Sequence, residues 1–407
     1  MPQPLAYAGT PVSLLPVPHR VTFLLPYFPP DVAADGQLFA LLARELAKRH
    51  HSVRVLTYKP RYQGVGNEVS PDDAIEGARI SRWWAPATGK GLIGRAFAAW
   101  WLMASGFWRA LFSRGTLIVP SSPPGLALGP WWLSWLGRRY IYVLHDIHPE
   151  LGIALKRMRP GLVANTVNLI NRLAMRRAWA VVTLTEGMKE HALKLQSRAD
   201  VRVIPNWVDL EAIQPLAKRD SHFAQENGLV EPFVIQYSGN LGLLHPLEGL
   251  TKAVGLMPRV VLTFIGRGAR LESLRSLVAR EDITNVRFFD YRPLVQLGDS
   301  LGASDIAVIA LEPGADKLAM PSKLQGILAS GRAILCLAPA ASELARLVEF
   351  ERVGIVVNDP LNVQAIHLAI EQLQDPALRA EMGSCARAIA VARYSTKTAA
   401  DEYEWLL

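Results

Sequence analysis

Cysteine is almost missing: Cys336 and Cys385 are the only two in 407 residues, each alone in apolar sequence without metal-ligand spacing. That excludes a disulfide framework and a cysteine-held metal, and both read as reduced core residues of a cytosolic protein. No basic segment followed by an apolar one opens the chain, so no secretion signal is expected, and residues 1–19 read as a poorly structured leader. Charge is modest at 20%, yet half the residues are hydrophobic, which excludes a disordered chain. No Gly-x-Gly-x-x-Gly follows the first strand-like run, which argues against a dinucleotide dehydrogenase.

What the chain has is an uneven distribution of charge and tryptophan. Between Arg79 and Ala180 stand fourteen Lys or Arg against two acids, Asp146 and Glu150, a local net charge of +12 in a chain of +8. Nine of the eleven tryptophans share that window. Indole rings and cations both settle at a membrane's headgroup layer. The uncharged stretch Ala96–Trp108 is thirteen residues between Arg95 and Arg109, too short for the roughly 20 that span a bilayer. It reads as an interfacial helix presenting Arg95, Trp100, Trp101, Trp108 and Arg109 to the membrane, or else as a buried core helix with basic ends. Nucleic acid is not expected as a partner, since no recognition motif accompanies the basic residues.

Length allows two domains. Apolar, β-branched runs at Val21–Leu25, Val53–Tyr58, Leu117–Val119, Tyr140–Leu144, Val181–Leu184 and Val201–Ile204 read as buried parallel strands. Phe233–Tyr237, Val260–Ile265, Val286–Phe289, Ile306–Ile309, Ile334–Leu337 and Gly354–Val357 repeat the pattern. Amphipathic segments such as Gln37–Arg49 and Pro360–Leu373 lie between them, which predicts α/β architecture with ligands at the carboxyl ends of strands. The expected division is a first domain over 20–210, with its basic, Trp-rich region at about 79–180, a second over 225–390, and a helix over 391–407 crossing back to the first.

Three segments suggest anion chemistry. Ser238-Gly239-Asn240-Leu241 and Gly266-Arg267-Gly268 each follow a strand, where glycine permits a turn whose amides face a phosphate, and Arg267 adds a fork-shaped donor. Such turns are more often only turns, and it is their pairing that carries weight. Met320-Pro321-Ser322-Lys323 reads as the start of a helix running to about Ser330, with a capping hydroxyl and a lysine; an ordinary capped helix with a solvated lysine fits equally.

The order "IQYSGNLG … FIGRGAR … FFDYRP … LGASDIAVIAL … MPSKLQGILASGRAIL … LARLVEFERVGIVV" resembles the donor-binding half of glycosyltransferase family 4. "FLLPYFPPDVAADGQLFALLARELAKRHHSVRVLT", "VLHDIHPE" and "VRVIPNWVD" are similar to its first half, so the resemblance covers about residues 20–400. Within the family it looks most like enzymes of bacterial capsule, O-antigen and exopolysaccharide assembly. The resemblance implies a GT-B fold, two doubly wound Rossmann-like domains facing a cleft, and a nucleotide-sugar donor as co-substrate with no further cofactor. It also implies retention at the anomeric carbon and no need for metal, in line with the lack of an Asp-x-Asp anchor. Gly36 and Gln37 match the loop that closes over donor or acceptor, with Asp35-Gly36 in place of paired glycines. His145 matches the cleft histidine, although a strand-end histidine satisfied by backbone is the plainer reading. Asp146 could orient it, take the acceptor's proton, or cap a helix. Tyr291 and Arg292 lie where the nucleoside base rests, and Arg267 and Lys323 are candidates for the diphosphate.

One departure is clear. The family's two glutamates, eight positions apart before the final glycine, fall on Leu318 and Gly326. Glu312 could supply the sugar-facing carboxylate, or be a solvated loop residue. The leading expectation is a retaining hexosyl- or N-acetylhexosaminyl-transferase acting on a lipid-linked or glycan acceptor, peripheral on the inner face of the plasma membrane. The alternative is a catalytically silent relative serving as a membrane-bound partner in polysaccharide assembly. A nucleotide-sugar epimerase fits the Arg- and Trp-rich region less well.

Overall fold

The computed structural model describes residues 18–60, 74–86 and 92–407, apart from 32, 76, 124, 155, 157, 316 and 317, and without the side chains of 74, 75, 92, 93, 95–99 and 294. Arg95 as a membrane-facing side chain therefore lies outside the described residues.

Two twisted sheets form. The first contains β1 (Arg20–Leu24), β2 (Ser52–Tyr58), β3 (Ala74–Ile75), β4 (Ala78–Trp83), β5 (Thr116–Pro120), β6 (Tyr140–Leu144), β7 (Ala180–Thr183) and β8 (Val201–Val203), in the order β3-β4-β2-β1-β5-β6-β7-β8. All its pairings are parallel except the short β3 on β4. The second contains β9 (Phe233–Ser238), β10 (Val260–Ile265), β11 (Val286–Phe289), β12 (Ile306–Ala310), β13 (Ala333–Leu337) and β14 (Gly354–Val357), parallel throughout, in the order β11-β10-β9-β12-β13-β14. Strands buried on both faces read as continuous apolar runs, and β5, β6, β12 and β13 are buried at every residue.

β3 and β4 are additions to the sequence reading. β4 mixes polar and apolar residues, Ala78-Arg79-Ile80-Ser81-Arg82-Trp83, with Arg79 exposed between buried Ala78 and Ile80, as suits a strand next to a sheet edge. Helix Ala34–Lys48 and the carboxyl-terminal helix Thr396–Leu406 cover one face of the first sheet, where Phe39, Trp207, Tyr403 and Leu406 join Val21, Phe23 and Val55 in a common core. Arg49 clamps the two helices, reaching Asp401 at 2.6 Å and Glu404 at 2.8 Å. Helices Leu92–Leu111, Leu128–Ser134 and Leu162–Arg177 cover the opposite face over Leu24, Leu56, Tyr140 and Tyr142. No helix among the described residues is long and apolar enough to cross a membrane.

Trp101 is turned inward rather than outward: it packs half-buried on that core, its indole N–H donating to the Trp84 carbonyl at 3.2 Å. Consecutive helical residues cannot share one face, and Trp100 and Trp108 are the ones that stand exposed. The Arg109 guanidinium lies 5.3 Å from the Trp83 ring centre.

Candidate active site in the interdomain cleft

The carboxyl ends of both sheets face one cleft, the place where open parallel sheets gather ligands. Several contacts span it. Gln37 donates its amide N–H to the Tyr291 hydroxyl at 3.0 Å, and the Ile147 amide donates to the Leu318 carbonyl at 3.0 Å. Asp146 pairs as an isolated bridge with Ala319. Between them lies a cavity of about 450 Å³, lined on one side by Asp35, Gln37, His145 and Asp146, and on the other by Gly239, Asn240, His245, Arg267, Tyr291, Pro321, Ser322 and Lys323.

On the first-domain side, His145 leaves the end of β6 and stacks on Phe39, centroids 5.3 Å apart and planes at 23°. Its Nδ1 lies 2.9 Å from Asp35 Oδ1, a charge contact without the alignment of a hydrogen bond, and its Nε2 has no partner among the described residues. Burial opposes protonation of the ring, but Asp35 and then Asp146 outweigh it and raise the proton affinity. Asp146 is driven up too, by burial first and then by Asp35. Two groups of raised proton affinity, a carboxylate and an imidazole, therefore adjoin in the cleft. The helix-cap reading of Asp146 does not hold, because the following helix begins only at Glu150 and Asp146 is not its N-cap residue.

On the second-domain side, Lys323 is the central cation. Its ammonium is fully buried, has no hydrogen-bond partner among the described residues, and sits 3.4 Å above the Tyr237 ring. Burial holds its proton affinity well below that of an ordinary lysine. An unpaired buried ammonium is expensive, and the natural compensation is a bound anion. Gly239 lies against the Lys323 side chain, and its φ of +127° is a conformation that favours glycine. His245 was not anticipated. Its neutral ring donates Nδ1–H to the Ala310 carbonyl at 2.7 Å, and burial, followed by the charge of Lys323, pushes its pKa down to about 3. The histidine in "LGLLHP" carried no separate sequence signal beyond its closeness to the glycine turn.

Several expectations need correction. The Gly239, Leu241 and Gly266 amides are committed to the carbonyls of Ile265, Arg267 and Phe289, so they do not point at a phosphate. Leu241 belongs to the hydrophobic core, and Gly266 and Gly268 pack against the carbonyls of Gly239 and Leu241. Those glycines bring two strand-end turns together so that Asn240 and Arg267 can line the cavity. Ser322 does not cap the following helix, which is short (Leu324–Ala329), with Lys323 itself at the cap in αR conformation. Gly36 packs on the Tyr27 backbone, Ser238 lines the neighbouring cavity described below, and Arg292 lies over the Phe223 ring. Glu312 is held by Arg270, at 3.1 Å, outside the lining of the cleft cavity. The carboxylates that do line it, Asp35 and Asp146, both come from the first domain.

A second cavity of about 520 Å³ adjoins the first, sharing Ala34, Gln37, Tyr291, Ser322 and Lys323 with it. It is mostly apolar, with Leu38, Trp207, Ile213, Val295 and Leu297 in its walls, and Gly326 stands there in place of a glutamate. A polar cavity around a buried cation, opening into an apolar one, can hold a molecule with a diphosphate at its centre and a flat ring at one end.

The fold is shared with known proteins. Residues 36–207 match the glycosyl transferase 4-like domain family. The probable glycosyltransferase WbjE of Pseudomonas aeruginosa is 25% identical over 297 residues, covering 69% of this chain and 72% of its own. The putative colanic acid biosynthesis glycosyl transferase WcaI of Escherichia coli is 27% identical over 370 residues, 85% of this chain and 89% of its own. Among solved structures, sucrose-phosphate synthase from Thermosynechococcus elongatus superposes with a TM-score of 0.76 at 17% identity, over 95% of this chain and 98% of that one. Anabaena HepE in complex with UDP and glucose superposes with a TM-score of 0.70 at 16% identity, over 95% and 98%. Residues 36–207 thus match a glycosyl transferase 4-like domain, and the chain as a whole has the two-domain GT-B fold.

Proposed function

We propose that this chain moves a hexose- or N-acetylhexosamine-type sugar from a nucleoside-diphosphate donor onto a polyprenyl-diphosphate-linked or growing polysaccharide acceptor, with retention and without a metal ion. The observation that carries this reading is Lys323: a buried, unpartnered ammonium at the meeting point of a polar and an apolar cavity. In the reaction the bond from the anomeric carbon to the diphosphate oxygen breaks, and its electron pair stays on the diphosphate. Lys323 and Arg267 stabilise that developing charge in a water-poor site, where such stabilisation is strongest. The acceptor oxygen then bonds to the anomeric carbon on the face that the diphosphate leaves, so that configuration is retained, and Asp146 receives its proton. His145, held charged by Asp35, donates from Nε2 to a sugar hydroxyl. The name of WcaI, a putative colanic acid biosynthesis glycosyl transferase, supports a polysaccharide acceptor, and the UDP complex of HepE supports a nucleotide-sugar donor.

The same reading places the acceptor at a membrane surface, on the cytoplasmic side. The three helices over the second face of the first sheet expose Trp100, Trp108, Phe112, Trp132, Trp135, Leu136, Leu162 and Val163. Arg177 and Arg139 lie 3.9 and 4.0 Å from the Trp135 and Trp179 ring centres. Aromatic rings and guanidinium groups held together in this way suit an anionic headgroup layer. Charge reversal at Arg95 and Arg109 is expected to weaken binding to anionic vesicles; unchanged binding would remove the membrane from the proposal and leave transfer intact.

Calorimetry with UDP, GDP, ADP, TDP and CMP in the presence of EDTA, on wild type and Lys323→Ala, tests the donor site. Selective binding of one diphosphate, weakened by the substitution, is the expected result. If none binds, the second reading takes over: a silent relative in a polysaccharide assembly complex. The observation favouring that reading is that no carboxylate of the second domain lines the cleft cavity among the described residues.

A further inference from the structure

A second concentration of positive charge lies at the opposite end of the first sheet from the cleft. Strand register sets it up. Thr22 pairs with Arg54, Arg54 with Arg79, and Arg20 with Ser52. Partners in a parallel ladder point to the same side, and residues two apart share it, so Arg20, Thr22, Ser52, Arg54 and Arg79 occupy one face of the amino-terminal rim. It is the face whose next residues, Leu24 and Leu56, form the core beneath helix Leu92–Leu111. Val21, Val53 and Ala78 go to the other side.

Arg114 follows the end of that helix, and the Thr22 hydroxyl donates to its carbonyl at 2.9 Å, fixing it beside the row. Together these residues line a cavity of about 320 Å³ with Phe112 at its edge and no Asp or Glu in its described walls. None of the four guanidinium groups makes an ion pair among the described residues, and Arg54 Nε is buried without a hydrogen-bond partner. Adjacent strands are ~4.8 Å apart, so Arg54 and Arg79 bring like charges into a small volume. Such a cluster is relieved by a polyvalent anion, and planar guanidinium forks match phosphate oxygens in pairs.

We infer that Arg20, Arg54, Arg79 and Arg114 form a binding site for a phosphate group, separate from the donor cleft. Phe112, three-quarters exposed, stacks on exposed Trp108 with centroids 6.5 Å apart, which ties the site to the aromatic surface. The phosphate therefore comes from an anionic lipid headgroup or from a free phosphate ester. Only the lipid source rests on the membrane reading; the site itself does not depend on that reading or on glycosyl transfer.

The test uses the full chain carrying Lys323→Ala, so that the cleft contributes as little as possible. Inorganic phosphate and glycerol 3-phosphate are titrated by calorimetry into this parent and into two derivatives. One adds Arg20→Gln, Arg79→Gln and Arg114→Gln, all exposed positions whose loss leaves the core untouched; the other adds only Arg54→Gln. Vesicles of phosphatidylglycerol in phosphatidylcholine, against phosphatidylcholine alone, form the other arm. The parent is expected to bind phosphate, and the triple derivative to bind it about tenfold or more weakly, with Arg54→Gln intermediate. A matching loss on phosphatidylglycerol vesicles identifies a lipid headgroup as the source; loss confined to soluble phosphate identifies a free ester. Equal phosphate affinity in parent and derivatives, or none in the parent, overturns the site whatever the vesicles do.

Discussion

Asp35 Oδ1 stands 2.9 Å from His145 Nδ1, joining the first turn of helix Ala34–Lys48 to the end of β6. Burial works against charge on both partners, yet the histidine ends with its proton affinity raised and the aspartate with its own lowered. Asp35→Asn removes the opposing charge, so the imidazole loses its proton at lower pH. The alkaline limb of a kcat/KM profile is expected to move down, with Asp35→Glu partly restoring it; an unmoved limb would separate His145 from the chemistry.

The same pair makes a stability prediction with a definite sign. A histidine with raised proton affinity contributes stability below its unfolded value, 6.5, and loses it as pH rises through the folded value. An aspartate with lowered affinity contributes above its unfolded value, 3.8, and loses it as pH falls through the folded one. The difference in denaturant midpoint between wild type and Asp35→Asn should therefore be largest between these two pH values and shrink on both sides.

Lys323 places function and stability in opposition. Its lowered proton affinity means that the unfolded chain binds more protons, so the burden it puts on the fold is greatest at low pH and fades as pH rises towards the lysine's ordinary value, 10.5. Lys323→Met, similar in length and apolar, is expected to raise stability by about 1–3 kcal/mol at neutral pH and to abolish diphosphate binding. Urea melts at pH 7 and pH 10 check the first claim, since the gain must be smaller at the higher pH.

The strand runs were readable because buried parallel strands are spelled as unbroken apolar sequence; Ile141 to Leu144 or Ile306 to Ala310 admit little else. β4 was not, because Arg79 and Arg82 interrupt its apolar residues and draw attention to charge instead. In the site, His145, Asp146, Arg267 and Lys323 could be named from strand ends and from family likeness. What could not be read was which atoms remain free. The glycine amides are consumed by pairing between turns, and Glu312 is taken by Arg270, contacts made across tens of residues. The Asp35–His145 contact joins positions 110 apart, and no periodicity announces it.

Gly266 shows what those turns demand. It sits at φ +134°, and a Cβ would fall 2.2 Å from the Gly239 carbonyl oxygen, a backbone atom with nowhere to go. Gly266→Ala is expected to cost about 2–4 kcal/mol and to weaken donor binding, because Gly239 and Arg267 shift together. Gly314→Ala, at φ +90° in open space, is the control for backbone strain alone and should cost about 1 kcal/mol. Equal melting temperatures for the two variants would contradict the close approach of the turns.

Tyr403, on the carboxyl-terminal helix, separates packing from polarity. It is fully buried against Trp207, ring centroids 5.8 Å apart, in the core of the first sheet, but its hydroxyl has no hydrogen-bond partner among the described residues. Removing the whole ring leaves a cavity beneath helix Ala34–Lys48, so Tyr403→Ala is expected to cost about 3–5 kcal/mol. Removing only the oxygen relieves a buried polar group of its unmet hydrogen bond, so Tyr403→Phe is expected to gain about 1 kcal/mol. Opposite signs from one position, read as shifts in denaturant midpoint, would show that the helix holds the first domain through apolar packing. If Tyr403→Phe instead destabilised the protein, the hydroxyl would have to be bonded, through a water or a ligand, and the core around Trp207 would be partly polar.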